Sequence, residues 1–218
     1  MTTATQFDIF AEAEAAIIIE QKAHAQDIKA RAIVRKTSRI EIRRANCEKT
    51  LHEILPEKLE MGMSYHVISH GDVDSLSYLI HIVKQQILDS LLCSTWCMAM
   101  PDTQWLRDQV ENVRIGTIDF NLGEIFPSQY TDEYDTVKQM EADGMCTMKI
   151  ARNHAKVMAG CHAASGFYFV IESSANINTN PRIEQTAIHC SRELFDQYID
   201  FFAEIKTIDG SRYQKIKA

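Results

Sequence analysis

Glycine and proline are scarce, at 8 and 4 of 218 residues, too few for a collagen-like, mucin-like or linker-dominated chain. No apolar run approaches the ~18 to 20 residues that a membrane span needs, so no membrane association is expected. The N-terminal sequence MTTATQFDIF lacks the basic, apolar and small-residue succession of a secretory leader. The six cysteines have no regular spacing and read as reduced thiols of a cytoplasmic protein rather than a disulfide framework. An excess of positive charge is missing as well: the net charge of -7 argues against coating nucleic acid with the whole surface. What is present is ordinary globular material, 45% hydrophobic and 24% charged, which excludes wholesale disorder. The length suits one domain, or one domain with an added arm.

The charge is unevenly placed. Lys29, Arg31, Arg35, Lys36, Arg39, Arg43 and Arg44 stand against the single acid Glu41, so residues 29–44 carry +6 and the remainder -13. From Asp8 to His52 there is no Pro or Gly and much Ala, Glu, Lys and Arg, which predicts helix. Residues 1–60 are therefore expected to form a helical arm. Its basic run is either a solvated helix face or an electrostatic footprint for phosphates, carried by Arg35, Lys36, Arg39, Arg43 and Arg44.

Residues 61–218 change grammar. Short β-prone runs at His66–Ser69, Leu91–Trp96, Val113–Phe120, Met145–Ile150, Ala155–Met158 and Gly166–Ile171 alternate with helical patterns. The helices are expected at Leu76–Ile87, Thr103–Val110, Asp132–Asp143 and Arg192–Lys206. This alternation predicts an α/β fold, a mixed sheet sandwiched between helices.

The chemistry concentrates late in the chain. In Asn153-His154-Ala155-Lys156-Val157, a strand places His154 and Lys156 on one face, an imidazole and an ammonium side by side, an arrangement suited to an anion between them. After the strand Phe167–Ile171 come Ser173, Ser174 and Asn176; Ser174 and Asn176 share a face and can donate to an oxyanion. Glu184 follows, an acid able to hold one nitrogen of His154 and leave the other free to attack. Arg182 is either a phosphate contact or the ion-pair partner of Glu184.

The order His154-x-Lys156, Ser173-Ser174-x-Asn176, Glu184 resembles the phospholipase D superfamily, whose signature is His-x-Lys followed by Gly-Ser-x-Asn. The likeness spans residues 65–188. Cys161 stands where that family often has Asp, and Ser173 stands at its Gly. The resemblance implies that His154 attacks phosphorus to give a phosphohistidine, while Lys156 and Asn176 steady the non-bridging oxygens. Ser173 and Ser174 would contact the substrate, no metal or other cofactor is needed, and Glu184 supports the site. Because the chain has one motif where the mechanism uses two histidines, the resemblance also implies a homodimer sharing one site.

The turn His70-Gly71-Asp72-Val73-Asp74 resembles the first metal motif of the DHH phosphoesterases, but their Asp-His-His triplet is absent. It reads as a strand-to-helix turn in which Asp72 or Asp74 caps the helix, with His70 lining the pocket. Three functions follow: a metal-independent phosphodiesterase, most simply a nuclease; a nucleic-acid-binding protein with little or no hydrolysis; or a lipid or nucleotide phosphodiesterase. The basic run favours the first two and names nucleic acid as partner, DNA ahead of RNA.

Overall fold

Apolar residues alternating along most of the strands build a single mixed sheet among the described residues, with several helices packed on one face and one on the other. The computed structural model describes residues 39–178 and 182–208, and the residues from Arg39 on form a compact unit of their own. The expected helix before Arg39, with Arg35 and Lys36, lies outside the described residues. The elements are, in order, α1 (Arg39–Ile54), β1 (Ser64–His70), α2 (Ser75–Gln85), β2 (Ser90–Thr95), α3 (Met100–Glu111), β3 (Ile118–Gly123), α4 (Phe126–Gln129), α5 (Thr131–Ala142), β4 (Cys146–Ala151), β5 (Val157–His162), β6 (Phe167–Ser173), β7 (Ile183–His189) and α6 (Arg192–Ala203). A single 3-10 turn, Ala163–Ser165, links β5 to β6.

The strand order is β1-β7-β6-β5-β2-β3-β4. β2, β3 and β4 pair in parallel, whereas every other neighbouring pair is antiparallel. It follows that β1, β2, β3, β4 and β6 run one way and β5 and β7 the other. Five carboxyl ends and the starts of β5 and β7 therefore meet at one end of the sheet. This end receives the polar residues of the sequence motif, and open α/β sheets bind ligands outside strand carboxyl ends.

The period-2 alternation divides the core. Leu91, Cys93, Phe120, Leu122, Phe169 and Ile171 project to one face, against Leu79 and Val83 of α2, Leu106 of α3 and Val137 of α5. Their neighbours Leu92, Val157, Ala159 and Val170 project to the other face, against Phe195 and Phe202 of α6. α6 begins at Ser191, whose Oγ accepts the Leu194 N–H at 3.3 Å, satisfying one of the unpaired amides of the first turn. On the first face α1 adds a further layer by packing on α2, with Cys47 and Leu51 buried. Residues 39–54 of the expected arm thus belong to the same compact unit as the sheet.

Three expectations need correction. The strand expected from Val113 begins at Ile118. Val113 adopts a left-handed backbone with φ 57° to end α3, and only Ile115 bridges to Leu88 before the ladder starts. The strand expected from Ala155 begins at Val157, so His154 and Lys156 lie in the connection leading into β5. β7 is a seventh strand not expected from the sequence, because Ile183-Glu184-Gln185-Thr186-Ala187-Ile188-His189 alternates only weakly. All six cysteines are unpaired and buried. Among the described residues, no helix is long and apolar enough to cross a membrane.

Candidate active site at one end of the sheet

The connection of residues 152–156 is shaped by a buried amide. Asn153 donates from Nδ2 to Ser94 Oγ at 2.9 Å and to the Asn121 carbonyl at 2.7 Å. Its Oδ1 accepts the Ala155 N–H at 2.9 Å, and Ser94 Oγ donates to the Ala155 carbonyl at 3.1 Å. The side chain of Asn153 thereby replaces the ladder that the backbone lacks here, and it turns its neighbours outward. His154 is exposed, its ring 5.4 Å from that of Trp96 and tilted by 53°. Trp96 in turn lies against Gly123, where a Cβ would overlap both its indole Cδ1 and its carbonyl; any larger residue at 123 displaces it.

Lys156 folds back over this histidine. Its Nζ donates to the His154 carbonyl at 2.8 Å and lies 2.8 Å from Nδ1 and 3.2 Å from Nε2. An ammonium beside a neutral imidazole donates to the unprotonated nitrogen, and an incoming anion is drawn to the same ammonium. Partial burial holds Lys156 below the ordinary lysine value, while the fields of Cys97 and Glu184 pull it upward.

β6 delivers the serines. The Ser173 N–H donates to the Lys156 carbonyl at 3.0 Å, joining the two halves of the motif. Ser173 Oγ pairs with Thr186 Oγ1 at 2.9 Å and accepts the Ala175 N–H at 3.1 Å. Val113 is the only described non-glycine residue with positive φ, so a serine at 173 carries no left-handed strain. Ser174 Oγ donates to the Glu184 carboxylate and accepts the Gln185 N–H at 3.0 Å. Asn176 lies beyond the turn, with a buried Oδ1 that has no hydrogen-bond partner among the described residues. His154, Lys156, Ser173, Ser174 and Glu184 are thus brought together. Asn176 follows on the same turn, without a described contact to the imidazole or the ammonium.

At the neighbouring strand, Ser69 stands opposite Glu184 and His70 opposite Ile183. His70 is exposed, and its N–H donates to Asp72 Oδ1 at 2.9 Å. Arg182 is exposed just ahead of β7. The expected helix cap at Asp74 is replaced by another role. Asp74 makes no side-chain cap bond; its carboxylate accepts Arg43 Nη2 at 2.7 Å and Nε at 3.0 Å. Among the described residues, no group of three or more His, Cys, Asp or Glu is arranged to hold a metal ion.

The basic residues of α1 behave in the same way. Arg43 also donates to the Gly71 carbonyl at 3.1 Å, and Arg44 Nη2 reaches Asp102 Oδ1 at 2.6 Å. These pairs fasten α1 to the start of α2 and to α3, so two of the five arginines and lysines expected to meet phosphates are engaged by carboxylates. Arg39 remains exposed. Burial pushes the Asp102 carboxyl up to about 6, Arg44 pulling the other way without cancelling it. The folded chain therefore holds this proton more tightly than the unfolded chain, with its ordinary value of 3.8. The contribution is full below about pH 4 and is lost as pH rises toward 6. Unfolding free energies by urea between pH 4 and 7 are expected to show this decline, and Asp102→Asn is expected to remove it.

Beside the motif, Glu172 forms a second polar chain. Its Oε1 accepts the Tyr198 hydroxyl, its Oε2 lies 3.2 Å from His189 Nε2, and His189 Nδ1 lies 2.8 Å from Ser64 Oγ. Burial and the adjacent carboxylate push the Tyr198 phenol up to about 12, so it stays a donor. The sequence motif pointed to none of Asn153, Glu172 and Tyr198. Asn153 precedes the His-x-Lys signature directly, but nothing in a single sequence distinguishes a buried clamp from a turn residue.

No family model matches the chain, and no curated protein matches it in sequence. Solved structures do resemble it. Polyphosphate kinase from Porphyromonas gingivalis matches with a TM-score of 0.50 and 11% identity, over 68% of this chain and 27% of its own. NucT from Helicobacter pylori matches at 0.48 and 13%, over 65% and 95% of the two chains. TrmBL2, an archaeal chromatin protein with a novel mode of DNA binding, matches at 0.47 and 5%, over 93% and 68%. At these identities the likeness is one of fold, a mixed α/β sheet packed with helices.

Proposed function

We propose that the chain is a metal-independent phosphodiesterase, a nuclease acting through a phosphohistidine at a site completed by two subunits. The observation that carries this reading is the gathering of His154, Lys156, Ser174 and Glu184 where β5, β6 and β7 meet, with an exposed imidazole beside an ammonium. A ring nitrogen of His154 attacks phosphorus, and the bond to the leaving oxygen breaks. His154 of the partner subunit gives that oxygen its proton. Water then attacks the phosphohistidine, passes a proton to the same partner imidazole, and releases a phosphomonoester with His154 restored. Lys156 and the Asn176 amide neutralise the charge growing on the non-bridging oxygens. Glu184 holds Ser174 toward the phosphate. Arg35, Lys36 and Arg39 serve as phosphate contacts along a DNA strand, since Arg43 and Arg44 are occupied by Asp74 and Asp102. The homodimer follows from the count of one His154 per chain.

The test is incubation of the full chain with plasmid and single-stranded oligonucleotides, with and without excess chelator, alongside sedimentation. Cleavage at an unchanged rate in chelator by a dimer is expected. Activity that requires added Mn²⁺ overturns the mechanism, and a catalytically competent monomer overturns the shared site.

A further inference from the structure

A cavity of about 540 Å³ opens between α6 and the adjoining ends of β5 and β6, lined by Lys156, Glu172, Ser173, Gln197, Tyr198, Phe201 and others. Its size falls within the ordinary range for small-ligand sites. It shares Lys156 with the candidate active site, and Ser173 sits next to Ser174, so it is continuous with the place proposed for the phosphate. Three aromatic residues border it, Tyr198, Phe201 and Phe202. Tyr198 is fixed by its hydroxyl on Glu172, which His189 steadies from the other side. Phe201 is 65% exposed, although its helix neighbour Phe202 is buried in the core at 2%.

From this arrangement we infer that the cavity is a nucleobase subsite, holding the base of a nucleotide next to the phosphate at His154 and Lys156. The inference rests on the proposed nuclease reading and adds the group recognised beside the scissile bond. The lining is mixed in a way that selects among occupants. An acyl chain would cover the aromatic rings but lay hydrocarbon over the Gln197 amide and over the charge of Glu172, removing water from both at a cost. A nucleobase satisfies both halves: one face stacks on the exposed Phe201 ring, which stands at 84° to Phe202, its rim meets Tyr198, and its edge exchanges hydrogen bonds with the Gln197 amide and the Glu172 carboxylate. Lys156, at the junction, meets the negative charge that every nucleotide carries.

The probe is a short single-stranded DNA containing 2-aminopurine, compared with the same strand carrying an abasic position, titrated onto the full chain and onto Phe201→Ala. Base-to-aromatic stacking is worth ~1 to 3 kcal/mol per base, so the variant is expected to bind the base-bearing strand about tenfold more weakly. Both proteins are expected to bind the abasic strand equally, and 2-aminopurine emission is expected to be quenched only by the parent. Gln197→Ala, which keeps the rings, is expected to change preference among bases more than overall affinity. If Phe201→Ala binds both strands as the parent does while the parent still cleaves DNA, the subsite is overturned and the nuclease reading stands. If the parent neither binds nor cleaves any strand, both fall. Capture of the parent but not the variant by phosphatidylglycerol vesicles, with no discrimination between strands, overturns the inference in favour of a lipid. Dissociation of Phe201→Ala into monomers, with both strands weakened equally, overturns it in favour of a subunit interface.

Discussion

Replacing His154 with alanine is expected to lower the rate of phosphodiester cleavage by at least about 1000-fold, the scale on which removal of an enzyme nucleophile acts. The thermal midpoint is expected to stay within a few degrees of the parent. The separation of the two effects comes from where the residue sits. His154 is exposed, its ring tilted against that of Trp96 and beside the Lys156 ammonium, so its removal opens no cavity in the core. The measurement is initial rate on a fluorogenic oligonucleotide, paired with calorimetry. A variant cleaving at the parental rate would remove His154 from the mechanism. A variant that had lost both rate and fold would show the residue to be structural.

Asn153→Leu is expected to act in the opposite proportion, lowering stability by about 3 kcal/mol and activity with it. The parent amide makes three hydrogen bonds from a position 8% exposed. Leucine is similar in size but leaves the Asn121 carbonyl and the Ala155 N–H without the amide, while the Ser94 hydroxyl keeps its bond to the Ala155 carbonyl. Each buried orphan costs ~1 to 3 kcal/mol, and part of that is recovered as the connection relaxes. Relaxation is also what harms the chemistry, because this connection aims His154 and Lys156. Urea unfolding reads the first effect. The second is read by the rate under conditions where the variant is still folded, and a full rate there would mean that the clamp does not position the imidazole.

The architecture was legible where burial and period coincide. Leu76, Leu79, Ile80 and Val83 mark α2, Phe167 to Ile171 marks β6, and the order of the motif carries the α/β fold with it. Legibility failed where tertiary partners decide. The backbone at His154 and Lys156 is drawn off the strand by the hydrogen bonds that Asn153 donates to Ser94 and Asn121, which lie 59 and 32 residues away from it along the chain. β7 hides because Glu184, Gln185 and Thr186 are polar; it is held between β1 and β6 rather than by its own apolar pattern. The basic run reads the same to a phosphate as to a carboxylate, and only the fold reveals that Asp74 and Asp102 face Arg43 and Arg44. The motif residues came from chemistry; the groups that hold them came from packing.

The tilted stacking of Trp96 on His154 also makes this end of the sheet luminous. The chain has two tryptophans, and the other, Trp105, lies on α3 partly buried against the core. With Trp105 replaced by phenylalanine, ultraviolet emission reports on a single indole whose ring lies 5.4 Å from the His154 imidazole. A protonated imidazole quenches such emission more strongly than a neutral one, and an anion between His154 and Lys156 alters the same environment. Under the proposed mechanism, protonation of His154, arrival of a phosphate and formation of a phosphohistidine would each be followed in real time by the protein's own light, with no label attached.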